Sequence, residues 1–135
     1  MIGIGALFFT REATAQDKEA DLVRIPLNHY LQAHSSDNPE FVRKAFHKDA
    51  KIMAFRDGKL LIWNVQEFAS RFKGRPAIDE AQRKRKIESV DVSGNAAVAK
   101  ISLDYPSIKF IDYVALLKID GEWKIVNKTF CAELK

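Results

Sequence analysis

A single cysteine, Cys131, stands among 135 residues, so no internal disulfide can staple the fold, and cysteine usage says nothing about redox compartment. Metal-binding patterns are missing as well: the three histidines, His29, His34 and His47, show no HxxxH spacing, and one cysteine makes no CxxC pair. Neither a glycine-rich phosphate loop nor a nucleophile elbow occurs. No metal or organic cofactor is therefore expected. The apolar run at residues 2–9 falls far short of the roughly 20 residues that cross a bilayer, so no membrane partner is expected either. What is present, 47% hydrophobic and 30% charged residues with a net charge of +4, describes one globular domain with a single sizeable core.

Residues 1–16 have the outline of a secretory signal peptide, because the apolar run leads to Ala13-Thr14-Ala15, an A-x-A pattern ahead of Gln16. Against it stand the lack of basic residues at its start and the charges of Arg11 and Glu12. The expectation is an exported, periplasmic protein; the alternative is a cytoplasmic one in which this stretch is an N-terminal extension. Residues 17–135 then form the single domain.

From Asp17 to about His34, Val23, Leu27, Tyr30 and Leu31 recur at helical spacing, one face of an amphipathic helix that Pro26 should kink or start late. Pro39, with Asp37 or Asn38 as cap, opens a second helix that carries Phe41, Val42, Ala45 and Phe46 and ends near His47. Asp57-Gly58 joins the runs KIMAF and LLIW in a tight type I′ hairpin. Asn64, with Glu67 three residues on, starts a third helix that sets Phe68 and Phe72 one turn apart. Two longer hairpins follow, turning at Ser93-Gly94 and Asp120-Gly121. In the last pair, placing Ile119 opposite Glu122 sets Lys118, Leu116, Val114, Asp112 and Phe110 against Trp123, Ile125, Asn127, Thr129 and Cys131. One face of the final strand thus begins apolar and ends polar, which reads as a core wall continuing into a cavity floor. The reverse face, with Tyr113, Ala115, Leu117, Val126, Lys128 and Phe130, is too apolar for water and reads as a contact with a second copy.

Helices first, then a long antiparallel sheet, make an α+β chain. That order, with AFHKDA at 45–50, RDGKL at 56–60, VDVSGNAAVAKISLDYP at 90–106 and DYVALLKIDGEWKIVNKTF at 112–130, resembles the nuclear transport factor two-like superfamily. Within it, the chain is most similar over residues 17–133 to the small bacterial lumazine-binding or polyketide-cyclase-like (SnoaL-like) group. The resemblance implies a cone-shaped domain: a curved, mainly antiparallel sheet wrapped around a long N-terminal helix with two shorter helices. It also implies a pocket at the open end and homodimerisation through the convex sheet face. No single activity follows, because the superfamily hosts isomerases, dehydratases, cyclases, hydrolases, binding modules and transport adaptors. The chain departs from the group at Cys131, where the resemblance leads one to expect histidine.

On this reading a small cyclic or aromatic organic molecule binds among Tyr30, Phe55, Trp63, Phe68, Phe72, Tyr105 and Phe110, over a polar floor of Asp112, Asn127, Thr129 and Cys131. Asp112 is either a general base or an acceptor for Thr129 or Tyr105. The Tyr30 hydroxyl points into the pocket or bonds a backbone carbonyl. His34 is a pocket acid or a cation at a helix C-terminus, His47 has the same two readings at the second helix, and His29 faces solvent. Cys131 is a reactive thiol or a small hydrophobe. Binding without chemistry stands ahead of a cofactor-free isomerase, dehydratase or cyclase with Asp112 and His34 as catalytic candidates. A protein-interaction domain using the convex face is the second alternative. The basic cluster of Lys73, Arg75, Arg83, Lys84, Arg85 and Lys86 is diluted by Asp79 and Glu80 and has no interleaved aromatics. It reads as a solvated edge or a rim for an anionic ligand, and no nucleic-acid partner is expected.

Overall fold

The computed structural model describes residues 3–7 and 14–135. Residues 1–2 and 8–13, half of the suggested signal peptide, lie outside the described residues. Thr14 caps the first helix, α1 (Ala15–Ser36): the Asp17 amide donates to Thr14 Oγ1 at 3.1 Å, and the Thr14 amide donates to Asp17 Oδ2 at 3.1 Å. This reciprocal pair starts the helix upstream of Pro26, which lies buried inside it rather than marking a late start.

Asp37 ends α1 in the left-handed region, with φ 52°. Its carboxylate accepts from the amides of Lys73 at 2.9 Å and Arg75 at 3.2 Å, fastening a distant loop to the end of α1. Asn38 therefore caps the second helix, α2 (Pro39–Ala45), its Oδ1 accepting from the Glu40 amide at 3.0 Å. Strands β1 (Phe46–Arg56) and β2 (Lys59–Asn64) form the first hairpin. Asp57 and Gly58 both take positive φ, 53° and 74°, as a type I′ turn requires. Asn64 and Glu67 cap the third helix, α3 (Val65–Ala69), reciprocally. A short 3-10 turn at Glu80–Gln82 leads into β3 (Lys84–Ser93), β4 (Ala96–Asp104), β5 (Ile108–Ile119) and β6 (Glu122–Leu134). Ser93 pairs with Ala96, so the β3–β4 loop is Gly94-Asn95, one residue later than the sequence suggests.

The strands form one six-stranded sheet in the order β2-β1-β6-β5-β4-β3, antiparallel except where β1 runs parallel to β6. The sheet curls around α1 as an α+β cone. Val23, Leu27 and Ala33 of α1 meet Ile101, Leu116 and Ile125 of the strands, all 0–1% exposed. At about 1.5–3 kcal/mol for each large side chain removed from water, this closed end carries much of the driving force for folding.

One irregularity decides what the open end contains. The β5–β6 register runs as counted through Leu116 and Ile125, but the next pair is Ala115 with Asn127, leaving Val126 as an extra residue. The parallel pairing of β1 with β6 breaks at the same level, between Phe46 and Lys51. A bulge of one residue inverts every later side chain, because strand alternation has a period of two. Asp112 therefore pairs with Phe130, not Thr129, and Tyr113 with Thr129. Thr129 and Cys131 are exposed on the outer face with half-exposed Asn127, so none of the three belongs to the inner floor. Lys128 (4% exposed) and Phe130 point inward and leave the convex contact face assigned to them. Phe55 is also displaced: it alternates with inward-facing Ile52 and Ala54, and lies 75% exposed near the β1–β2 turn.

Candidate functional site

Where the bulge turns Lys128 and Phe130 inward, the cone opens into a cavity of about 170 Å³. Its walls are aromatic. Trp63 of β2 stacks on Phe68 of α3 (centroids 6.5 Å apart) and on Phe130 of β6 (6.2 Å), while Phe110 meets Phe130 and Tyr105 edge-on at 6.1 and 6.0 Å.

At the floor lies a buried polar chain. Lys128 Nζ donates to the Tyr30 hydroxyl at 2.6 Å, and that hydroxyl donates to Asp112 Oδ2 at 2.5 Å. Lys128 Nζ lies 3.5 Å from the same carboxylate oxygen, an ion pair with side chains only 5% and 1% exposed. The ammonium also sits 4.6–4.9 Å from the ring centroids of Phe68, Phe130 and Tyr30. Burial pulls the Lys128 pKa below the ordinary lysine value, opposed by Asp112 and assisted by Arg71. Burial, with the Asp112 charge and hydrogen bond, pushes the Tyr30 phenol well above its usual range, so it stays neutral.

Two enclosed polar atoms have no partner among the described residues: Asp112 Oδ1 and His34 Nε2. Such atoms are uncommon in folded proteins and ask for an explanation. Asp112 is among the residues that line the cavity. His34 lines it too, with its ring edge-on to Tyr30 (4.8 Å) and Phe72 (5.2 Å). Burial, together with the charges of Lys128, Arg85 and Arg83, holds its pKa well below the ordinary value. His34 is thus a neutral imidazole, not a cation at a helix end.

Trp63, Phe68, Tyr105, Phe110, Asp112 and His34 come together around this space. Tyr30 lies behind the floor and reaches it through its hydroxyl, satisfied by neither of the two arrangements the sequence suggested. Phe72, 7% exposed, packs into the core against Phe68 and His34. Sequence reasoning missed Lys128 and Phe130, which the bulge relocates, and the exposed Arg56 and Arg71 at the rim. Arg71 lies over the Trp63 ring at 4.6 Å, and neither arginine forms an ion pair among the described residues. Within the basic cluster, Arg83 and Arg85 cover the Tyr105 ring at 4.1 and 5.0 Å, paired with Asp79 and Glu80 respectively. They form a neutralised wall beside the site.

A second cleft of about 260 Å³, between α1 and the β5–β6 turn, includes Leu22, Ile25, His29 and Lys124 but no enclosed polar atom without a partner. Among the described residues no three His, Cys, Asp or Glu side chains cluster to hold a metal ion, and no helix is long and apolar enough to cross a membrane.

The family model described as "Putative lumazine-binding" matches residues 18–131. Among curated proteins, an "Aldolase FrzH" from a Cladobotryum species is 24% identical over 110 residues, covering 75% of this chain and 81% of that protein. A nuclear transport factor 2-like protein of unknown function from Shewanella baltica superposes with a TM-score of 0.80 and 26% identity, over 89% of this chain and 98% of that one. One from Methylobacillus flagellatus, also of unknown function, gives 0.77 and 30%, over 90% and 97%.

Proposed function

This chain belongs to the "Putative lumazine-binding" family of the nuclear transport factor 2-like superfamily, and we propose that its aromatic-walled cavity binds a small cyclic or aromatic organic molecule that offers a carbonyl group to the Lys128 ammonium at the floor and any negative charge to the rim. The observation that carries this reading is the buried Lys128–Asp112 pair, a donor beside a carboxylate with one oxygen unpartnered, at a space walled by Trp63, Phe68, Phe110 and Phe130. Size limits the ligand. An apolar cavity of about 150 Å³ takes a benzene ring, so the roughly 170 Å³ here encloses one ring. The second ring of a lumazine would extend to the rim, where Arg56 and Arg71 favour negative charge. In a Trp123→Phe variant, Trp63 is the remaining tryptophan and reports binding directly. Benzoate, benzaldehyde and lumazine should quench its fluorescence saturably and raise the melting temperature. No saturable quenching by any of them would overturn the reading.

A second reading, that of a cofactor-free enzyme acting next to a carbonyl, is supported by the Asp112–Lys128 pair and by the aldolase name of the Cladobotryum relative. Asp112 takes a proton from the carbon beside the carbonyl, and the Lys128 ammonium balances the enolate charge. Proton NMR of cyclohexanone in D₂O should then show exchange accelerated by the protein, and Asp112→Asn should lose about 10²-fold or more of it. We further propose that the convex face, with Val98, Tyr113 and Leu117 40–55% exposed, carries a second copy of the chain.

A further inference from the structure

We propose that Lys128 is a covalent carbonyl-binding site, its Nζ condensing with an aldehyde or ketone group of the bound ring compound to form an imine. This rests on the ligand reading above and adds to it a nucleophile and the functional group the ligand must carry.

Position comes first: Lys128 is the one lysine among the residues lining the cavity, and its Nζ lies within the aromatic cage of Tyr30, Phe68 and Phe130. A carbonyl compound whose ring lies against the aromatic walls brings its carbon toward this amine, whereas the surface lysines meet the same reagent only by diffusion. The second requirement is a neutral amine, and a route for the proton is already built. Moving one proton along the 2.6 Å Lys128–Tyr30 bond and another along the 2.5 Å Tyr30–Asp112 bond turns ammonium, phenol and carboxylate into amine, phenol and carboxylic acid. Separated charge disappears from a water-poor site, and burial of Lys128 favours the same direction.

The chemistry then balances within this set of groups. The amine lone pair forms a bond to the carbonyl carbon, the oxygen takes a proton relayed through Asp112, and a carbinolamine results. Breaking its C–O bond, with transfer of the remaining N–H proton, releases one water and leaves the C=N bond. No oxidant or reductant is needed. Asp112 Oδ1, enclosed and without a partner, is the open acceptor for the carbinolamine hydroxyl. A purely structural ion pair would account for neither that vacant acceptor nor the cavity beside it.

The test uses the full chain, benzaldehyde, and cyanoborohydride to reduce any imine to a stable benzylamine, with modified lysines located by peptide mass spectrometry. Lys128 should be labelled on the order of tenfold or more faster than the mean of the other lysines. Benzyl alcohol, which fills the ring site but forms no imine, should protect it, and Asp112→Asn should slow its labelling while surface rates stay unchanged. Lys128→Met should lose the fast label. Should that variant fail to fold, benzyl alcohol protection in the unaltered chain still decides. Labelling spread over surface lysines with Lys128 unmodified, while benzaldehyde still quenches Trp63, would overturn the imine and leave the binding reading intact. Neither labelling of Lys128 nor quenching would overturn both.

Discussion

The two halves of β6 lie on one strand and face one interior, yet they do opposite things. Before Val126, Trp123 and Ile125 close an apolar core against Leu27 and Leu116, with the Trp123 indole donating to Glu19 at 2.8 Å. After it, Lys128 and Phe130 line a space that keeps a buried carboxylate half satisfied. The first half is packed for stability. The second leaves hydrogen-bonding capacity and volume unused, a cost that a ligand would offset. One extra residue separates the two regimes.

The sharpest way to break this comparison is to remove one charge from the open half. Asp112→Ala should destabilise by about 3–5 kcal/mol in urea unfolding, because it strands the Lys128 ammonium. Adding Lys128→Met should recover most of that loss, since paired removal is near neutral, while abolishing ring binding. Next in size, Ile125→Ala in the closed half should cost about 2–5 kcal/mol with little change in ligand affinity. Tyr30→Phe should cost about 1–3 kcal/mol and weaken the link between the two charges. Smaller still is a pH effect. His34 has a folded pKa below its unfolded value, so the unfolded chain binds the proton first. Stability should therefore fall as pH drops below about 6.5, and His34→Gln should flatten that slope in thermal melts. Smallest, Thr129→Ala and Cys131→Ser should stay within about 0.5 kcal/mol, because both face outward.

The cap at Asn64 and the Asp-Gly turns were legible because each depends on two to four neighbouring residues, while the cap of α2 was narrowed only to Asp37 or Asn38. The family frame was legible from strings spread along the chain. Asp112 could be placed inside because β5 alternates without interruption up to that level. The bulge was not counted, since a bulge is set by tertiary packing and leaves no dedicated residue. Its signal was nonetheless present: Ile125 and Phe130 are apolar and an odd number of positions apart, which strict alternation cannot place on one face. Reading the polar Asn127, Thr129 and Cys131 as a cavity floor assigned the apolar Phe130 to a contact with a second copy, whereas the bulge turns it inward. Arg56 has the same parity as buried Ile52 and Ala54, so strand alternation alone places it on the cavity side of β1.

The measurement that bears most directly on the inward turn at Val126 is an NMR titration of the lysine side chains with and without benzoate. One lysine, Lys128, should show ε-methylene protons shifted by the surrounding rings, a pKa below that of the surface lysines, and a shift change on adding benzoate. A Lys128 that titrates with the surface set, shows no ring shift and ignores benzoate would contradict the account.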